Sequence, residues 1–462
     1  MNTGLANFEN NVILTGDSYK YSMPVQYPPG TESVFSYIEA RAGIWHDAVY
    51  NGLQAFIRKY LSRPITKDDI DFAEMIIKAH GEPFYREQWE YILEKHNGYL
   101  PLIIKGADEG TPIPIKQVLV TIENTDPKCF WLTTLLETAL LRAIWYPTTV
   151  ATNSFECKKI IQRFLKKTGD ENGLLFKLHD FGARGVSSLE SAAIGGTAHL
   201  INFMGTDNIS GILHAMKYYD AEVCGFSIPA MEHSTVTSWG RDKEVEAYRN
   251  MLKQFAKPGA LLAAVSDSYN IYEACGKLWG EELRQEVIDS GAIVVVRPDS
   301  GKPAEVVLKC IQILDSKFGS TVNEKGYKVL NYVRVIQGDG INSFTIEQIL
   351  ETLEKAGYSA DNVAFGMGGA LLQQVNRDTM GFAMKCSAIK INGEWFDVQK
   401  DPITDSGKKS KAGRLVLIRN LRGEYHTVRE NSFNDSILKT RYENGDILNM
   451  ITFNEVRKNA SI

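Results

Sequence analysis

Over residues 66 to 81 the apolar positions Ile70, Ala73 and Ile77 fall on one face of a helix. Thr66 supplies an N-cap, Asp69 stands three residues on, and Gly81 is the stop. Between 98 and 124 short β-branched runs alternate with Gly and Pro, which predicts a small antiparallel element. From 149, TVATNSFECKKIIQRFLKKTG turns Ile160, Ile161, Phe164 and Leu165 toward a core, predicting a helix that Gly169 ends.

After residue 175 the rhythm changes. Short apolar runs now end in polar or glycine-rich turns, each followed by a helical segment: KLHDFGARG, VCGFSIPAMEHS, LLAAVSDSY, AIVVVRPDSG, VRVIQGDG and NVAFGMGG. Gly225, Ala263, Val294, Val333 and Val363 mark the runs at spacings of 38, 31, 39 and 30 residues, the length of one strand-helix unit. This predicts a parallel α/β barrel or a related open sheet, with the polar turns gathered at the C-terminal ends of the strands. Further on, RLVLIRNLRGEYHTV reads as a β-hairpin turning near Arg422-Gly423, so the C-terminal region is expected to rejoin the first sheet. The expected organisation is a mixed α+β domain from 1–150 plus 385–462, with an α/β barrel over 151–384.

Composition narrows the class. In 462 residues, 44% hydrophobic and 23% charged content is that of a folded globular protein. Lys plus Arg total 51 against 56 Asp plus Glu, a net charge of −5, which argues against nonspecific binding to nucleic acid or an anionic membrane. The six cysteines are dispersed without a C-x-x-C pair, so neither a disulfide framework nor a zinc site is expected. The N-terminus lacks a signal-like basic and apolar segment, and Glu137 and Arg142 interrupt the longest apolar stretch. A cytoplasmic protein is expected.

The chemistry concentrates in the turns. Arg297-Pro298-Asp299-Ser300-Gly301 closes a β-branched run; the guanidinium suits phosphate and the carboxylate a ribose hydroxyl, although an Arg–Asp pair can equally stabilise a turn. Gly338-Asp339-Gly340 repeats the arrangement. Gly366-Met367-Gly368-Gly369 is a strand-to-helix turn suited to phosphate, but it matches neither the P-loop nor the dinucleotide fingerprint. Arg377, Lys385 and Lys400 are candidate charges for the same phosphate, and Lys400 opens the basic run of 400 to 414. His233, after an apolar run and beside Glu232, can transfer a proton or accept a phosphoryl group; a hydrogen-bonded core histidine is equally compatible. The Asp180-Phe181-Gly182 triplet is not that of a kinase, because no H-R-D-type loop precedes it. Tyr19, in TGDSYK, lies far from these turns in sequence and could complete a site across a dimer.

TGDSYK, LHDFGARG, MGTD, AMEHST, VSDSY, RPDSG, VIQGDG, AFGMGG and KDP, in this order from about residue 8 to 460, resemble the nicotinamide phosphoribosyltransferase family. The resemblance implies a type II phosphoribosyltransferase-like α/β barrel with a discontinuous α+β domain, working as a homodimer with shared active sites. It implies formation of nicotinamide mononucleotide and pyrophosphate from nicotinamide and phosphoribosyl pyrophosphate with Mg²⁺, coupled to ATP hydrolysis through a phosphohistidine at His233. By the same resemblance Phe181 and the partner subunit's Tyr19 stack on the pyridine, and Arg184 and Asp207 fix the carboxamide. Arg297, Asp299, Gly338 and Asp339 hold ribose and phosphates, with Ser266 a further substrate contact. Gly368, Gly369 and Arg377 take the 5′-phosphate, and Arg41, Lys385 and Lys400 add phosphate contacts. Two departures stand out: Met367 where the family pattern has a serine, and Asn270 in place of an acid. The competing readings are a nicotinate phosphoribosyltransferase and a catalytically silent dimeric binding protein.

Overall fold

The computed structural model describes residues 10–401, 410–430 and 435–461. Most of the basic run of 400 to 414, residues 402–409, lies outside the described residues. The chain divides into two compact units: Met1–Thr152 with Met216–Ala221 and Asn376–Ser461, and Asn153–Ala215 with Glu222–Val375.

The first unit is built on a seven-stranded antiparallel sheet. Its order is Glu394–Asp397, Ala383–Ile391, Thr31–Glu39, Val118–Asn124, Leu102–Gly106, Lys439–Glu443 and Asp446–Ile447. Chain from both ends therefore meets in one sheet, over a core that includes Tyr37, Ile104, Val120, Ile122, Phe382 and Tyr442. The hairpin of Leu415–Arg419 and Tyr425–Arg429 forms as its alternation predicts, but as a separate two-stranded sheet. Its neighbours along the chain, 383–391 and 439–443, supply the return to the large sheet.

The helix predicted over 66–81 spans Lys67–His80, with the reciprocal Thr66 and Asp69 capping bonds and Gly81 left-handed at φ 101°. The helix expected from 149 instead runs over Glu137–Thr168, straight through Pro147. Proline removes the N–H that would bond Ala143 O. Along the same helix the buried hydroxyls of Thr149 and Thr152 bond carbonyls four residues back, and Gly52 packs against Ala143 O, where a Cβ would stand 2.1 Å away.

In the second unit five of the six apolar runs followed by polar turns form strands of one parallel sheet, with Gly205–Thr206 as the sixth strand, while the run 223–234 makes only isolated bridges. The order is Gly205–Thr206, Leu178–Asp180, Val363–Met367, Val333–Gln337, Ile293–Arg297 and Leu261–Val265. Residues 226–231 close the ring. Phe226 bridges Gly205 on one side, and Ala230 bridges Ala263 on the other, with Met231 N–H donating to Ala263 O at 2.9 Å. Ala263, Val295 and Ile336 form an inner apolar layer, joined by Phe181, Ile228 and Ala364. Because the strands are parallel, every polar turn leaves the barrel at the same rim.

Candidate active site

Phe181 follows the Leu178–Asp180 strand, and its N–H donates to Met367 O at 3.0 Å. Its ring covers Gly366, where an added Cβ would stand 2.0 Å from Cε2. The same ring approaches Gly338: a Cβ there would lie 3.6 Å from Phe181 Cε2 and 3.2 Å from Asp299 Oδ1. An aromatic platform, a bare backbone and a carboxylate thus meet at one point, contributed by three strand exits. Asp180, the residue before it, is fully buried, accepting from Gly182 N–H at 2.7 Å and Asn208 Nδ2 at 2.9 Å. Burial pushes its carboxyl up to about 6, against the pull of those two hydrogen bonds.

Arg297 ends its strand with its side chain mostly enclosed, and Nη2 stands 3.7 Å from Asp299 Oδ2, too far for a hydrogen bond. Its Nε is buried and has no partner among the described residues. A buried, underused guanidinium is costly unless an anion completes it. Asp339 lies exposed at the neighbouring exit, its carbonyl accepting from Gln337 Nε2 at 2.9 Å.

His233 begins the short helix His233–Thr237. Its Nε2 lies 3.0 Å from Asp267 Oδ1, and Asp267 Oδ2 accepts from Ser300 Oγ at 2.7 Å. The imidazole is about half exposed, while the Asp267 side chain is almost wholly covered. A histidine fixed on one nitrogen by a carboxylate and open on the other is arranged for proton or phosphoryl transfer. Asp207 accepts from Ser227 Oγ at 2.5 Å, and Arg184 lies exposed on the turn Ala183–Gly185. A Cβ on Gly368 or Gly369 would meet nothing closer than 3.7 Å or 4.0 Å, so this backbone is open to approach.

Ser266, expected at the substrate, is fully buried, donating to Ala264 O and accepting from Trp279 Nε1. The structure puts Asp267 at the rim in its stead, because alternate residues along the strand face opposite sides. Asp267, Ser300 and Ser227 are the residues that sequence reasoning missed; all three stand inside motifs it had picked out. Met367 is fully buried, so the departure there changes core packing and not the exposed turn. Asn270 caps the helix Ile271–Glu273 through the Tyr272 and Glu273 amides, a role an acid would also fill.

The remaining expected residues belong to the first unit. Tyr19 is 56% exposed on the turn Ser18–Val25. Arg41 Nε donates to Gly381 O at 3.1 Å, Lys400 is exposed, and Arg377 pairs with Asp378 at 3.0 Å. Burial draws the Lys385 ammonium below its ordinary range; Glu137 opposes this, while Arg41, Lys400 and Arg377 reinforce it. These four cations therefore share one neighbourhood. Elsewhere in this unit His96, Asp126 and Cys129 bring ligand atoms within 4.8 Å, but Asp126 Oδ2 already accepts from Tyr91 and lies 2.8 Å from His96 Nε2.

Residues 176–446 match the model of the nicotinate phosphoribosyltransferase (NAPRTase) family, and residues 11–104 match that of the nicotinamide phosphoribosyltransferase N-terminal domain. A nicotinamide phosphoribosyltransferase of Xanthomonas campestris is 54% identical, covering 98% of this chain and 99% of its own. The chain belongs to the nicotinamide phosphoribosyltransferase family. Another relative of that name, from Acinetobacter baylyi, is 32% identical across 98% of the chain and 97% of its own length.

Solved structures agree on the fold. A nicotinate-nucleotide pyrophosphorylase from Pyrococcus furiosus superposes with a TM-score of 0.64 at 17% identity, covering 98% of this chain and 95% of its own. Human nicotinic acid phosphoribosyltransferase gives 0.58 at 16%, covering 97% and 93%. The fold is the type II phosphoribosyltransferase-like α/β barrel with a discontinuous mixed α+β unit, and the chain is a phosphoribosyltransferase, an enzyme of the glycosyltransferase class. Among the described residues no helix is long and apolar enough to cross a membrane.

Proposed function

We propose that the chain forms nicotinamide mononucleotide and pyrophosphate from nicotinamide and phosphoribosyl pyrophosphate in NAD biosynthesis, in the cytoplasm, as a homodimer with shared sites. The observation that carries the reading is the meeting of the Phe181 ring, the Gly338 backbone and Asp299 at one point, beside the underused Arg297 guanidinium. An aromatic face positions the pyridine, and the carboxylate beside it accepts from a ribose hydroxyl. Displacing pyrophosphate from C1 leaves positive charge on the ribose and negative charge on the leaving group, which Arg297 stabilises electrostatically.

Asp207 accepts from the carboxamide NH₂ and repels a carboxylate, which favours nicotinamide over nicotinate. Arg184 contacts the carboxamide oxygen. Gly368, Gly369 and Arg377 receive the 5′-phosphate, with Arg41, Lys385 and Lys400 as further cations. Tyr19 covers the other face of the base from the partner. The donor set fits Mg²⁺: Asp299 and Asp339 are hard oxygen ligands at adjacent strand exits, the kind that bind this ion together with substrate phosphates. When bound, Mg²⁺ supplies charge neutralisation for the pyrophosphate.

His233 is the phosphoryl acceptor through which ATP hydrolysis is coupled, supported by its open ring and its contact with Asp267. One assay tests the reading: labelled ATP, phosphoribosyl pyrophosphate and each base in turn, with wild type and His233→Ala. The expected result is preferential mononucleotide formation from nicotinamide, acid-labile label on wild type, and loss of label and ATP stimulation in the variant. Product from nicotinate alone would transfer the reading to the acid substrate; no product from either base would favour a silent binding protein. Equal labelling of both chains would remove His233 from the role.

A further inference from the structure

Beneath the rim, Trp279 holds the strand end that carries Asp267, and none of the roles above uses it. The indole is fully buried in Ala274–Glu282, a π-helix, a form that recurs where a turn is widened to present a side chain. Its Nε1–H donates to Ser266 Oγ at 3.1 Å, and Ser266 Oγ donates to Ala264 O at 3.0 Å. The Ser266 backbone N–H donates to Arg297 O at 3.0 Å. On its other side the indole stacks on Tyr248, with centroids 4.7 Å apart and planes at 23°, and Tyr248 OH donates to Glu244 at 2.7 Å. Packing alone asks only for a large apolar ring here. The N–H aimed at Ser266 is a further feature: it gives the buried hydroxyl a donor, beside its bond to Ala264 O and its contact with the Tyr248 hydroxyl. Ser266 is held by three hydrogen bonds through its Oγ and its backbone N, and the next residue is Asp267, poised between His233 and Ser300.

We propose that Trp279 is a positioning residue for the His233–Asp267 pair, acting through Ser266. The proposal rests on the use of His233 set out above, but its test does not require phosphoryl transfer. Trp279→Phe keeps a ring against Tyr248 and removes the donor; Ser266→Ala removes the acceptor with a smaller change of volume and guards against a folding defect in the first variant. In the full-length chain, modification of His233 by diethyl pyrocarbonate, scored at Nε2 alone by NMR of the purified His233 peptide, reads how firmly Asp267 holds that nitrogen. Asp267→Ala, which removes the acceptor, sets the scale.

Asp267→Ala is expected to accelerate modification about threefold or more, the range of one lost hydrogen bond. Trp279→Phe and Ser266→Ala should each move the rate at least halfway to that value, and their combination should add little, since both break one link. Wild-type rates in both variants, or an additive double variant, would overturn the proposal. So would an Asp267→Ala rate equal to wild type, because Trp279 would then have no pair to position. Absence of ATP-derived label on wild-type His233 would instead count against the phosphohistidine alone.

Discussion

The ring of Phe181 lies across the backbone of Gly366 so closely that a Cβ there would stand 2.0 Å from Phe181 Cε2. Gly366→Ala must therefore displace the platform. Overpacking of this kind costs about 1–3 kcal/mol, and it should appear as a lower Tm. The functional consequence separates from stability: KM for the base should rise about tenfold or more while kcat falls less, because the ring binds the base before and during reaction alike. An unchanged KM in a folded Gly366→Ala chain would mean that the base does not rest on Phe181.

Asp207 and Ser227 test the choice of base. The Asp207 carboxylate accepts from Ser227 Oγ at 2.5 Å, just ahead of the helix Ile209–Tyr219. Asp207→Asn keeps the size and removes the charge. The nicotinamide-to-nicotinate ratio of kcat/KM should fall about tenfold or more, equivalent to about 1.4 kcal/mol. Steady-state kinetics on both bases measure it, and an unaltered ratio would pass the role to Arg184.

How far the sequence was legible depends on the range of the interaction. The Lys67–His80 helix is written within sixteen residues, by its cap, its apolar face and its terminal glycine, and it forms as read. The barrel strands were legible because parallel strands buried on both faces are short continuous apolar runs. Pro147 concealed the true start of the long helix, since a proline in a helical pattern reads locally as a boundary. In the site, glycine-rich turns and charged residues at strand ends announce themselves locally. The His233–Asp267–Ser300 chain joins residues more than thirty positions apart, which no local pattern encodes. Strand alternation did carry one unused signal: Ala263 faces the barrel interior, so Val265 and Asp267 share its face and Ser266 does not.

Asp180 gives the fold a measurable pH dependence. Its carboxyl is raised to about 6 in the folded chain, chiefly by burial, against about 3.9 when unfolded. The folded state therefore binds an extra proton between these values. The stability from this residue is fully present below the unfolded value and is lost as pH rises through about 6, by up to about 3 kcal/mol. Unfolding free energies of wild type and Asp180→Asn, compared at pH 4.5 and 7.5, should show wild type losing ground at the higher pH. A pH-independent difference between the two would contradict the assignment.

Tyr19 supplies the test of the shared site. Its ring is 56% exposed, yet the turn beneath it is anchored: Lys20 is buried against Glu137 at 2.7 Å, and Asp17 accepts from Thr138 at 2.8 Å. A large aromatic held outward on fixed neighbours is suited to another surface. If it closes a partner's site, Tyr19→Ala and Arg297→Ala chains are each inactive as homodimers, but a mixed dimer holds one site with both lesions and one with neither. After subunit exchange at equal concentrations half of the dimers are mixed, so activity should return to about one quarter of wild type. Exchange is verified separately by mass spectrometry of the intact dimers. Mixed dimers that form without regaining activity would place Tyr19 outside the partner's site.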